Sequence, residues 1–224
     1  MTEFDLLKLK EFGRSGIPSV IGTIYYVWHI KADRSKAGFS RHVNFESNDR
    51  LNSKSDFNNT ANLKTGSSGK TIFFLSNSEK SFDFFINFLA NNFPHCPIVD
   101  RSSPEIEKEL EGYLSGKTRE ISLEPVYLYG TDFEKKIWET ARKIPYGNVT
   151  SYKELAQKAG YPNAFRAAGT ALGNNPLMLV VPCHRVIRSN GEIGYFGGGE
   201  EVKLMLLDLE QPQKEKQTAI KGVK

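Results

Sequence analysis

The sequence is short of the residues that would staple or anchor it. Only two of its 224 residues are cysteine, Cys96 and Cys183. Two thiols make neither a disulfide framework nor a cysteine-rich zinc site, and they point to a reducing, intracellular setting. No apolar run approaches the roughly 18 residues that a membrane-spanning helix needs. The start, Met1-Thr2-Glu3-Phe4-Asp5, is acidic and lacks the basic and apolar stretches of a secretory signal. A large excess of one charge is also missing, with 30 Lys and Arg against 26 Asp and Glu. The small surplus is unevenly spread. Residues 1–125 balance at 16 against 16, so 126–224 carry 14 against 10. Between 141 and 191, Arg142, Lys143, Lys153, Lys158, Arg166, Arg185 and Arg188 face one acid, Glu154. A solvated basic face and a nucleic-acid footprint both fit that cluster.

With 39% hydrophobic and 25% charged residues, the chain reads as a globular protein able to bury a core, as one large domain or two small ones. The first half has the marks of an α/β unit. Ser19 to Ile30 is β-branched and aromatic and predicts a strand; a second is expected over Gly38 to Phe45, and a third over Lys70 to Leu75. Residues 47–70 are rich in Asn, Ser, Gly and Lys and read as a long mobile loop. Phe82, Phe84, Phe85, Phe88 and Leu89 recur at helical spacing, predicting a helix over Glu79 to Asn91 with those side chains in the core. Pro104 opens a further helix, Glu105 to Leu114, and Val126 to Tyr129 reads as a short strand or a linker.

Near Gly130 the pattern changes to short helices joined by tight turns. Asp132 is the expected N-cap of a helix carrying Phe133, Ile137, Trp138 and Ala141. Ser151-Tyr152-Lys153-Glu154 has the spacing of a capping box, starting a helix that runs to Ala159 and stops at Gly160. Another follows from Asn163 to Leu172, so the pair suggests a helix-turn-helix. That second helix is built of small residues, with Arg166 its one long polar side chain. It carries little code for base edges. If it meets DNA it should do so largely without sequence preference; packing against another helix is the alternative use of its small residues.

Leu177 to Val181 reads as a buried strand that runs into Pro182-Cys183-His184-Arg185-Val186. A cysteine after a buried strand is usually an inert core thiol. Here His184 supplies a base, and Arg185 and Arg188 supply positive charge that favours thiolate. The residues alone leave both readings open. Cys96, in Phe93-Pro94-His95-Cys96-Pro97, has no comparable context and reads as structural; His29, His42 and His95 have no evident pairing.

The Cys183 motif, with Asn175-Pro176 upstream, resembles the O6-alkylguanine-DNA alkyltransferase family. The resemblance extends in order over 127–210. It takes in Phe133 and Trp138, Ile144-Pro145-Tyr146-Gly147, Thr150-Ser151-Tyr152, Arg166-Ala167-Ala168-Gly169, Ser189-Asn190-Gly191 and Tyr195 to Gly199. It implies a ribonuclease-H-like α/β domain over 1–126, a mostly helical catalytic and DNA-binding domain over 127–210, and a basic, disordered tail over 211–224. It also implies direct reversal of DNA damage. The protein would bind duplex DNA through the minor groove as a monomer and flip out a guanine alkylated on O6, with O4-alkylthymine a further candidate. It would then move the alkyl group irreversibly to Cys183, once per molecule and with no cofactor. The location would be cytoplasmic in a prokaryote and nuclear in a eukaryote.

Roles carry over by position. Cys183 is the acceptor, His184 takes its proton through a water, and Glu210, 27 residues beyond Cys183, orients the His. Asn175 holds the turn that presents the Cys, and Tyr152 hydrogen-bonds the departing guanine. Arg166 is the finger that fills the vacated stack, with Ser151, Ala167, Ala168, Gly169 and Thr170 beside it on the DNA. Leu172, Val186, Tyr195, Phe196, Gly197 and Gly198 line the alkyl-base pocket. The backbone carbonyls of Cys183 and Val186 accept from the guanine amino group. Phe196 and Gly197 stand where relatives often carry Tyr and Ser, and Met178 where some carry Pro, so the substrate range is open. Lys203 fits a pocket role or a solvated helix face. Some relatives bind zinc through two Cys and two His in the first domain; with one cysteine there, no metal is expected. The competing reading is a non-enzymatic binder of alkylated DNA, which Cys183, His184 and Glu210 argue against. A transcription regulator would need base-reading side chains on the second helix, and a hydrolytic Cys–His enzyme would leave Arg166 unexplained.

Overall fold

The computed structural model describes residues 11–29 and 71–211. The strand expected over 38–45, the loop 47–70, His42 and the tail from 212 onward lie outside them.

Strands β1 (Phe12–Ile17), β2 (Ile24–His29) and β3 (Thr71–Ser76) form an antiparallel run, extended by the parallel edge strands β4 (Ile98–Asp100) and β5 (Glu124–Pro125) in the order β4-β1-β2-β3-β5. The predicted strand over 19–30 is shorter than expected because Ser19 to Gly22 form the turn that feeds it. β1, FGRSGI, has a sequence that says little about a strand. Its Gly13 lies opposite Trp28, and a Cβ there would enter the indole ring, so packing demands a residue that strand propensity disfavours. β3 is buried on both faces, sending Ile72 and Leu75 into one core cluster and Phe73 and Phe74 into another.

Helix α1 (Glu79–Asn92), capped by Ser78, lays Phe85, Ile86 and Leu89 on the second cluster. Phe84 does not join them. It is 49% exposed, because the core-facing stripe of a helix this long is narrower than the run of phenylalanines around it. Helix α2 (Pro104–Leu114), with Pro at its first position and Ser103 as cap, packs Ile106, Leu110 and Tyr113 on the first cluster.

Beyond Gly130 come α3 (Asp132–Ala141), β6 (Thr150–Ser151), α4 (Tyr152–Lys158) and α5 (Phe165–Gly173). A 3-10 turn over Cys183–Arg185, β7 (Val186–Ile187) and α6 (Glu200–Glu210) follow. The N-cap of α3 is Thr131, not Asp132: its hydroxyl accepts from the Glu134 amide while the Glu134 carboxylate accepts from the Thr131 amide. The Ser151–Glu154 capping box forms as the spacing predicts. α5 starts at Phe165, two residues later than expected, because a turn closed by the Ala164 amide on Tyr161 O occupies 161–164.

The run 177–181 is buried but is no strand. Single bridges tie Leu177 to Leu75 and Met178 to Val181, and Leu179 takes φ +71, turning the chain back. Its apolar composition reports burial on every side, which a tight loop satisfies as well as a strand does. The first cluster runs without a break from Ile17 through Tyr113 to Leu206, so both halves share one core. No helix among the described residues is long and apolar enough to cross a membrane.

Candidate active site

The 3-10 turn that carries Cys183, His184 and Arg185 is buried in full. Asn175, just past the end of α5, straps it in place. Its Nδ2 donates to Val181 O at 3.1 Å and to Cys183 Sγ at 3.2 Å, while its Oδ1 accepts from the Leu177 amide at 2.9 Å. Every polar atom of that side chain is thereby spent on the turn that presents the thiol.

Behind the cysteine lies a buried network around Glu210, the last residue of α6. Glu210 Oε1 accepts from His184 Nε2 at 2.7 Å. The Arg185 guanidinium donates to both carboxylate oxygens at 2.9–3.1 Å, the Gly147 amide donates at 3.0 Å, and the Tyr113 hydroxyl donates as well. Burial works against the Glu210 charge. The hydrogen bonds from His184 and Arg185, with the Arg185 charge, outweigh it and hold the carboxyl at about 2. His184 is pulled down by burial, more than Glu210 raises it, so the imidazole is neutral. Because Nε2 is the donor to Glu210, Nδ1 bears the lone pair. That Nδ1 is buried and has no hydrogen-bond partner among the described residues. A neutral imidazole with its basic nitrogen unengaged, next in sequence to a thiol, is a ready proton acceptor.

The thiol itself is pushed up by burial, against the opposing effect of Asn175 and of the Lys203 charge. Arg185 and Arg188 were expected to favour the thiolate. Arg185 is instead committed to Glu210, and Arg188 pairs on the surface with Glu192 at 2.6 Å. The nearby cation is Lys203. It is fully buried rather than on a solvated helix face, and burial brings it down to about 8. Its Nζ donates to Val186 O at 2.6 Å and stands over the Tyr152 and Phe196 rings. Val186, like Lys203, is fully buried.

Cys183 faces a cleft of 620 Å³. Leu172, Met178, Phe196, Gly197 and Gly198 line it together with the thiol, as do Phe84 and Phe88 of α1. A second depression gathers Tyr152, Phe165, Arg166, Gly169, Thr170 and Tyr195, and shares only Gly173 and Asn174 with the first. Tyr195 therefore belongs to the outer surface, 72% exposed, and not to the lining around Cys183. On α5, Arg166, Ala167 and Thr170 are exposed, and Gly169 touches Tyr152. Ala168 is buried against the neighbouring helices, and Ser151 is buried as the cap of α4. Neither of those two side chains reaches the surface where Arg166 stands.

Sequence reasoning passed over Tyr113, Gly147 and the true partner of Arg185. Tyr113 and Arg185 are separated from Glu210 by 97 and 25 residues, and no local spacing ties them together. Cys96 is half-buried against the second core cluster, and burial, with a smaller effect of Glu11, raises its thiol to about 11, as suits an inert position. No group of three or more His, Cys, Asp and Glu among the described residues is arranged to hold a metal.

Residues 132–212 match the family pattern described as 6-O-methylguanine DNA methyltransferase, DNA binding domain. The inducible methylated-DNA–protein-cysteine methyltransferase of Bacillus subtilis is 36% identical over 153 residues, 67% of this chain and 84% of the relative. The methylated-DNA–protein-cysteine methyltransferase of Mycobacterium leprae is 42% identical over 109 residues, 49% of this chain and 66% of that one. Among solved structures, Mycobacterium tuberculosis O6-methylguanine methyltransferase superposes with a TM-score of 0.62 at 26% identity, covering 89% of this chain and 93% of the other. The same organism's OGT in complex with DNA superposes at 0.58 and 25% identity, covering 93% and 99%. A network built around one thiol, on a chain alike in sequence over most of a relative's length, settles the kinship: this chain belongs to the methylated-DNA–protein-cysteine methyltransferase family.

Proposed function

We propose that the chain repairs DNA by direct reversal, moving a methyl group from O6 of guanine to Cys183. The observation that carries the assignment to this residue is the line Asn175–Cys183–His184–Glu210. It is a strapped thiol beside a neutral imidazole whose unpartnered nitrogen is Nδ1. His184 Nδ1 takes the thiol proton, through a water, as the sulfur attacks the methyl carbon. The S–C bond forms, the C–O6 bond breaks, and its electron pair passes into the guanine. Glu210 balances the imidazolium that results, and Arg185 holds that carboxylate in place. The thioether has no route back, so each molecule acts once.

Charge developing on the base is met by Tyr152, whose hydroxyl now donates to Tyr195 O at 3.3 Å. The Cys183 and Val186 carbonyls already accept from the Val186 amide and Lys203, and each keeps a second lone pair for the guanine amino group. The base enters from the depression beside Arg166, which meets the cleft of Cys183 at Gly173 and Asn174. A base inside a duplex must be extruded for this chemistry. Arg166, exposed at the start of α5, suits the finger that replaces it. The α4–turn–α5 pair supports the helix-turn-helix reading, with α5 in the minor groove and no sequence preference. The antiparallel β1-β2-β3 run, followed by α1 and by β4 returning parallel beside β1, supports a ribonuclease-H-like first unit. A free, reactive thiol suits a monomer kept in a reducing compartment.

The test is an intact mass after mixing with duplex DNA that carries one O6-methylguanine. The expected result is a gain of one methyl group, mapped to Cys183 and stopping at one per chain, with none in Cys183→Ala. A gain mapped to Cys96 would move the acceptor, and no gain would end the proposal.

A further inference from the structure

The cleft in front of Cys183 takes its walls from both halves of the chain. Phe196 to Gly198 line it from the second half, and Phe84 and Phe88 of α1 from the first. The separation between those walls is held by a residue that does not line the cleft. Asn77 lies between the end of β3 and Ser78, the cap of α1. Its Nδ2 donates to Gly198 O at 3.2 Å and to Ile21 O at 3.4 Å. One side-chain amide thus ties the β1–β2 turn and the start of α1 to the loop beside the thiol. Its Oδ1 is buried with no hydrogen-bond partner among the described residues. It faces Gly198 so closely that a Cβ there would come within 2.6 Å. The contact is therefore made on both atoms: a hydrogen bond through nitrogen, and close packing through oxygen that, with the Phe196 ring, leaves room only for glycine. Leaving an amide oxygen unpartnered is costly, and such a cost persists most readily where position matters.

We propose that Asn77 is a positioning residue for the transfer reaction. By clamping Gly198, it sets the width of the cleft and so where an alkyl group lies against Cys183 Sγ. The inference rests on Cys183 being the acceptor, and it makes the first half of the chain part of substrate selection.

Asn77→Ala is compared with wild type in single-turnover transfer from a duplex carrying O6-methylguanine and from one carrying O6-benzylguanine. At saturating DNA the variant's methyl transfer is expected to fall about tenfold, as misplacement of a reacting group by a fraction of an ångström does. The benzyl-to-methyl rate ratio should change by more than about threefold, with duplex affinity unchanged. A merely structural role would lower the thermal midpoint and leave that ratio at its wild-type value. Gly198→Ala should also slow transfer, and the double variant should lose less than the product of the two single losses, because the clash with Asn77 is then gone and only that with the Phe196 ring remains. An unchanged size ratio with fully multiplicative losses would overturn the inference while leaving the acceptor assignment standing. Failure of wild type itself to gain a methyl group would overturn both.

Discussion

At Glu210 one buried carboxylate receives an imidazole, a guanidinium, a phenol and a backbone amide. Taking that charge out of water is repaid only because each oxygen is engaged several times over. The arrangement serves the thiol at one remove, since the Nε2 donation to Glu210 is what leaves His184 Nδ1 basic. Glu210→Gln keeps the shape and deletes the charge, so Arg185 is left buried without its counter-ion. Such a loss typically costs about 3–5 kcal/mol, to be read as a lowered urea midpoint. Methyl transfer should slow as well, because a Gln amide can turn its NH₂ toward Nε2 and no longer fixes the tautomer. Wild-type stability together with a wild-type transfer rate would show that the network is incidental.

Among the elements, α4 and α5 divide the labour. α4 is held at its start by Ser151, whose hydroxyl accepts from the Glu154 amide. Ser151→Ala should cost about 1 kcal/mol of stability and leave duplex binding unchanged, since that side chain is buried. α5 turns Ala168, Ala171 and Leu172 inward and is fastened by Trp138 Nε1 donating to Ala171 O at 2.7 Å. Its other face carries Arg166. Arg166→Ala should slow repair in duplex far more than reaction with a free alkylguanine base; equal losses on both substrates would remove the finger role. Small residues on α5 thus lie on both faces, with two alanines packed inside and Ala167 and Thr170 exposed outside.

On the scale of the whole molecule, the reaction centre sits where the two halves share a core. Tyr113 comes from the first half and Glu210 from the end of the second, so acid stability depends on their joint packing. Glu210 is held at about 2, below its ordinary 4.5. Its ionised form stabilises the fold fully above the ordinary value, and this contribution is lost as pH falls from there through about 2. Urea midpoints measured across that window should drop in wild type and stay flatter in Glu210→Gln. Lys203 works in the opposite range. Burial lowers it from 10.5 to about 8, so the unfolded chain binds the extra proton between those values and stability gains from this group as pH rises through them. Binding to duplex should weaken with salt in proportion to the phosphates neutralised, and a flat response would mean that the basic cluster is not the DNA face.

Much of this was legible in the residue order because it is local. The Ser151–Glu154 capping box, the helical phenylalanine stripe and the Cys183-His184 pair are short-range patterns in the sequence, whereas Glu210 is reached through the family resemblance. Where the sequence misled, the cause was long-range contact. Gly13 makes a strand only because Trp28 lies across from it, and Leu177 to Val181 turn rather than extend because burial there comes from every side. Phe84 leaves the core because α1 presents one face to the sheet. Arg185 abandons the thiol for Glu210, and Lys203 takes its place. Residue order alone is enough to name the candidate groups for the chemistry. Packing in three dimensions sets which cation stands near the sulfur, which nitrogen of His184 is basic and how wide the cleft is. Each of those depends on contacts between segments that are far apart along the chain.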